Sequence, residues 1–212
     1  LLRAAEAQLQ EAEAMTTDYD DRERDPQLVV YAKACEAWTS AQKALVEFRR
    51  TGNAEGRIQA LGALVKACSL TGDDVDACRS AVDELAMMKR SGNKEAIARM
   101  TEMVIACETA RGDGAAALSR AEELVELWKE LGDRAGEAKA LQIKAQLLLQ
   151  LGQPQAVLHP AEEAVKLFRE LDDLEGEEAA TRILSQAYCL KGRPDRAPGR
   201  EQALRALEDL EK

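Results

Sequence analysis

The chain is predicted to be all-α, a right-handed α-solenoid of antiparallel helix hairpins, and three observations point there. Glycine recurs every twenty residues, at Gly52, Gly72, Gly92, Gly112, Gly132, Gly152 and Gly192, with Asp172 the one departure. A helix closed by glycine at its C-terminus and restarted at once by a capping residue produces such a ladder. Composition agrees: hydrophobic residues make up 46% of the 212 but aromatics only 3%, so alanine and leucine supply the core. That suits closely packed helices better than sheets, which favour β-branched and aromatic residues. Finally, residue types recur at a spacing of forty. Positions 41, 81, 121 and 161 are all alanine, and positions 48, 88, 128 and 168 read Phe, Met, Trp, Phe. Small residues let helices approach, and a large one near a helix end fills the gap against the next hairpin.

The elements follow in chain order. Leu2, Ala5, Leu9 and Ala12 give an amphipathic helix over about residues 1–16. The charged stretch 18–25 is a loop, and Asp25-Pro26 opens a long helix to about residue 50. Residues 1–50 are therefore a divergent N-terminal hairpin with an overlong second arm. Residues 51–212 are four 40-residue repeats. Their first helices fall near 53–71, 93–111, 133–151 and 173–191. Asn53, Asn93, Asp133 and Asp173 stand at the N-cap positions. Glu55, Glu95, Glu137 and Glu177 lie in the first turns, where the helix dipole favours acid. The second helices fall near 73–91, 113–131 and 154–171, each about 27 Å long at 1.5 Å per residue. Pro160 predicts a kink or a late start in the third of these. Pro194 and Pro198-Gly199 break the last second helix and delay its start to about residue 200.

The units resemble tetratricopeptide (TPR) repeats, in the 40-residue variety. Leu141, Ala145 and Leu148 fill first-helix positions of the family pattern, followed by Gly152, Val157, Ala161 and Ala164. Leu184, Ser185 and Tyr188, then Gly192 and Ala197, repeat it in the fourth unit. The first-helix tryptophan is absent, and Thr101 and Glu108 stand where large apolar residues are usual. HEAT-type repeats share the period and remain the alternative.

Little here suggests chemistry. The single histidine, His159, has no Cys or Asp at ligand spacing, and no phosphate-loop, dinucleotide or hydrolase motif occurs. Most carboxylates read as solvated helix faces. No catalytic, cofactor or metal residue is assigned, and an enzyme is not expected. The odd count of five cysteines without C-x-x-C reads as small buried hydrophobes in a reducing, intracellular compartment, cytoplasmic or organellar. The net charge of −10 argues against nucleic acid. No apolar run is long enough to span a membrane, which leaves attachment to a membrane-bound complex open. The chain begins Leu1-Leu2-Arg3 without an initiator Met, which reads as a processed form, such as a mature organellar protein without its transit peptide, or as part of something longer.

The resemblance implies a protein-interaction scaffold or adaptor, a subunit of a larger assembly, that takes a partner segment in a concave groove lined by first helices. The alternative is a sensor domain of a longer regulator that binds a peptide or effector. Carried onto this chain, the groove residues are Lys66, Arg99, Met103, Lys139, Gln142, Ile143, Gln146, Arg182, Ile183 and Gln186. Their four cations predict a positive strip for a segment with acidic and apolar residues. The carboxylate clamp of chaperone-binding members has Lys and Asn at set first-helix positions; its first Lys and Asn fall on Gly62 and Lys66 respectively, and its later positions on Met103, Lys139 and Ile143. Only Lys139 fits, which argues against that ligand.

Overall fold

The computed structural model describes residues 1–17, 26–71 and 74–191. The expected loop 18–25, Gly72, and everything from Gly192 on, including the broken last helix, lie outside the described residues. Nine helices and no strand occur among those described: α1 (Leu2–Thr17), α2 (Pro26–Thr51), α3 (Ala54–Thr71), α4 (Asp74–Ser91), α5 (Lys94–Ala110), α6 (Gly114–Leu131), α7 (Arg134–Gln150), α8 (Pro154–Glu170) and α9 (Leu174–Lys191). The fold class is an α-solenoid of antiparallel helix hairpins. The chain divides into two compact units, Leu1–Gly112 and Asp113–Lys212.

In the first unit each helix packs on the next, and α3 also lies against both α1 and α5. In the second unit α6 to α9 pack in series and α7 also touches α9. Within each unit the odd-numbered helices thus stand side by side. On the even-numbered helices Ala41, Ala81, Ala121 and Ala161, one residue per period, are all fully buried, which lets neighbouring helices approach closely. Thr101 and Glu108 are buried as well; the Thr101 hydroxyl donates to the Ile97 carbonyl at 2.8 Å, so its polarity is met within the helix. In the second unit the Tyr188 hydroxyl donates to Glu162 Oε1 at 3.1 Å, tying α9 to α8. Burial, and then that bond, raise the phenol pKa.

The turns obey one plan. Where α6 ends, Gly132 takes φ 71°, its N–H donates to the Lys129 carbonyl, and the Asp133 N–H donates to the Trp128 carbonyl at 3.2 Å. This Schellman closure leads straight into the next cap, because the Asp133 carboxylate accepts the Gly136 N–H at 3.0 Å. Asn53 caps Gly56 and Asp173 caps Gly176 in the same way. The residue three places into the first helix also receives the large side chain that closed the preceding helix. The Phe48 ring lies on Gly56, the Trp128 ring on Gly136 and the Phe168 ring on Gly176. A Cβ at any of these glycines would come within 3.0 Å of the ring. In the remaining repeat the large residue is Met88, and the position eight later is Ala96.

Asp172 interrupts the glycine ladder in sequence but not in conformation: its φ is 55°. A side chain in that region is strained by about 1 kcal/mol, somewhat less for Asp than for most residues. Asp172→Gly is therefore expected to raise the unfolding free energy by about 0.5–1 kcal/mol, read by urea denaturation. An unchanged midpoint would show that the aspartate side chain repays its strain locally.

One expectation needs correction. The helix around Pro160 has no late start: α8 begins at Pro154, where proline suits the first turn, and runs through Pro160. Glu84 is an exception among carboxylates expected for the most part on solvated faces. It is 0% exposed on α4, between two arginines. Its Oε2 receives Nε and Nη2 of Arg49 from α2 at 2.8 and 2.7 Å, and its Oε1 receives Nε and Nη2 of Arg57 from α3. Three helices of the first unit thus meet on one buried carboxylate.

Candidate functional site

The surface on which the expected groove residues lie is built from the side-by-side first helices. In the first unit, Lys66 is exposed on α3, and Arg99 is exposed on α5 with Met103 half-buried one turn on. Met103 Cε rests against Gly62 of α3, so the absence of a side chain at Gly62 makes room for the thioether. Gly62 also lines a groove of about 370 Å³ between α3 and α1. Gln59, Gly62, Ala63 and Lys66 line it from α3, and Glu6, Leu9, Gln10 and Glu13 line it from α1.

The electrostatics of this unit differ from expectation. Arg99 is held by Glu55 at 2.8 Å and by Glu95 at 3.7 Å, and Lys66 shares its groove with Glu6 and Glu13. The surface is mixed in charge, and no positive strip forms among these described residues. The neutralising carboxylates stand on α1 and on first-turn positions of α3 and α5, where the helix dipole favours acid. The contribution of α1 was missed because the divergent hairpin received no groove positions. Its signal was present: Glu6, Gln10 and Glu13 are spaced by four and three residues, one helical stripe beside the buried Ala5, Leu9 and Ala12.

In the second unit, Lys139 and Gln146 are exposed on α7, with Gln142 and Ile143 half-buried between them. Arg182 and Gln186 are exposed on the neighbouring α9. Lys139 has no ion-pair partner among the described residues, whereas Arg182 is paired with Glu178 at 3.0 Å. Ile183 is not available to a ligand. It is 6% exposed and packs into a cluster with Ala145, Leu148, Val157, Ala161, Leu184 and Ala187. The side chain that presents an apolar surface here is Ile143, at the same repeat position one unit earlier.

No group of His, Cys, Asp and Glu able to hold a metal occurs among the described residues. His159 stands in solvent beside Glu163, Nδ1 to Oε2 3.6 Å. All five cysteines are free thiols; Cys68, Cys78 and Cys107 are buried as expected, but Cys35 and Cys189 are exposed. Among the described residues no helix is long and apolar enough to cross a membrane.

No protein-family model matches this chain, and no curated protein matches it. Solved structures do. A Podosopora anserina putative kinesin light chain with nearly identical TPR-like repeats superimposes with a TM-score of 0.66 at 16% identity, over 100% of this chain and 95% of that one. The fold is TPR-like. A point variant of the same protein gives a TM-score of 0.67 at 16% identity, over 97% of this chain and 92% of that one. At this identity the likeness speaks for the fold. Helical-repeat folds of this kind commonly work by holding proteins or peptides on their surfaces.

Proposed function

We propose that this chain is a non-catalytic scaffold or adaptor of the TPR family, a subunit of a larger assembly, which holds a partner segment on its first helices. The observation that carries the reading is the face of α7 and α9. There Lys139, a cation without an ion-pair partner among the described residues, and the amides Gln142 and Gln146 flank the half-buried Ile143 along α7, and Gln186 is exposed on the neighbouring α9. Amide side chains donate to and accept from a peptide backbone, an apolar patch takes one side chain, and the lysine selects for acid. In the first unit, Lys66, Arg99 and Met103 offer a second face of mixed charge. The free thiols support a reducing, intracellular compartment.

The reading is tested with a synthetic peptide array in which each acidic-apolar sequence has a basic-apolar counterpart, followed by fluorescence anisotropy on the binders. Lys139→Glu combined with Ile143→Ser is expected to weaken binding at least about tenfold, or about 1.4 kcal/mol. His159→Glu on the outer face of α8 should leave it unchanged. Preference for the basic set, or equal loss in both variants, would remove α7 and α9 as the site.

A further inference from the structure

The outward side of α2 is unlike that of any other second helix. Leu28, Tyr31, Cys35, Thr39, Gln42 and Val46 lie along it at helical spacing, all exposed and none charged. Leu28 is 69% exposed, Tyr31 51% and Val46 62%. Thr39 donates its hydroxyl to the Cys35 carbonyl at 2.6 Å, which leaves its methyl as the outward group. The corresponding sides of the other second helices carry charge at exposed positions: Arg79 on α4, Glu122 and Glu126 on α6, Glu162 and Lys166 on α8. In a chain that is 32% charged, one helix side has been kept clear from Leu28 to Val46, about 27 Å at 1.5 Å per residue.

We propose that this strip of α2 is a self-association surface, on which a second copy of the chain lies antiparallel about a two-fold axis. Two features favour a copy of the same chain as occupant. The strip is self-complementary end to end: an axis level with residue 37 sets Leu28 against Val46 of the partner subunit, and the smaller Cys35 against Thr39 of the partner subunit. Large groups meet at the ends and small ones in the middle, which allows close helix approach. Charge points the same way. Two chains of net charge −10 repel, and this side brings them together without setting carboxylates opposite one another. A strip of this length and about 10 Å helix width, with its flanks, covers on the order of 500 Å² per chain, so about 1,000 Å² in all. That is the lower limit of a specific interface and predicts a weak, concentration-dependent dimer.

Sedimentation velocity tests this on the full chain. The weight-average sedimentation coefficient is expected to rise towards that of a dimer between about 1 and 300 µM, the range that so small an interface implies. Leu28→Glu combined with Val46→Glu changes two exposed residues. It should keep the helical circular-dichroism spectrum and weaken association at least about tenfold. Raising sodium chloride from about 0.05 to 0.5 M should strengthen the wild-type dimer, because salt screens the net repulsion and leaves apolar contact intact. A wild type that stays monomeric throughout, a double variant that associates like wild type, or a dimer that salt dissolves would each overturn the proposal. So would a chain that stays monomeric yet co-sediments with phosphatidylcholine vesicles through Leu28 and Val46, since the strip would then serve a lipid surface.

Discussion

Glu84→Gln is expected to destabilise the protein by about 3–5 kcal/mol, more than any other single conservative change in the first unit. The carboxylate is fully buried and is the shared acceptor of Arg49 and Arg57. The amide keeps the shape but removes the charge, turns donors towards donors, and leaves Arg57, whose side chain is only 13% exposed, without a counter-ion. Arg49 is 39% exposed and can turn to water. The repeat itself supplies the control. One period on, Leu124 occupies the position of Glu84 and Ile97 that of Arg57. Arg57→Ile combined with Glu84→Leu should therefore lose far less than the two single changes together, because an ion network replaced by apolar residues of similar volume costs little. By contrast, Arg182→Ala, which breaks an ion pair with both partners in solvent, should cost less than about 1 kcal/mol. Guanidinium-chloride denaturation of these variants measures all of this. Additive losses in the double variant would mean that the clamp holds the fold by something other than paired burial.

Gly136→Ala should cost about 1–3 kcal/mol, although alanine is the better helix former by about 1 kcal/mol. The new methyl group would enter the Trp128 ring, whose place is set by the turn that binds the Trp128 carbonyl to the Asp133 N–H. Trp128→Met together with Gly136→Ala recreates the pair that the chain already uses at Met88 and Ala96. Most of the loss from Gly136→Ala should disappear in that background, because the flexible thioether can move aside. If Gly136→Ala instead raises the melting temperature, helix propensity outweighs the ring contact and the paired positions have no coupling.

Much of this was legible in the sequence, for a physical reason. Helix ends are local: a left-handed residue, an Asn or Asp cap and a first-turn Glu lie within a few residues of one another, so the helix limits could be read from spacing alone. Asp172 was read as a break because the ladder was followed by residue type; aspartate also reaches the left-handed region, at some strain. The pairing of rings with Gly56, Gly136 and Gly176 was equally visible at a distance of eight residues, but those glycines fall off the twenty-residue ladder.

The electrostatics were less legible. Arg182 with Glu178 and Arg99 with Glu95 stand four residues apart and follow from helical spacing. Arg99 with Glu55, forty-four residues away, needs the packing of α5 on α3. Glu84 showed only as an acid where other repeats have Ala44, Leu124 and Ala164, a signal that gains meaning once Arg49 and Arg57 are seen to converge on it. Ile183 and Ile143 share one repeat position, yet one is core and the other half-open. A position carried from a repeat pattern names the side of a helix, and the depth at which a side chain lies depends on its neighbours.

Hydrogen exchange read by mass spectrometry, with and without a peptide selected from the array, tests the central claim most directly. The first helices are expected to carry the ligand. Bound peptide should therefore slow exchange in fragments from α7 and α9, around Lys139–Gln146 and Arg182–Gln186, and leave fragments from α6 and α8 unchanged. Protection confined to α6 and α8, with α7 and α9 exchanging as in the free chain, would contradict it.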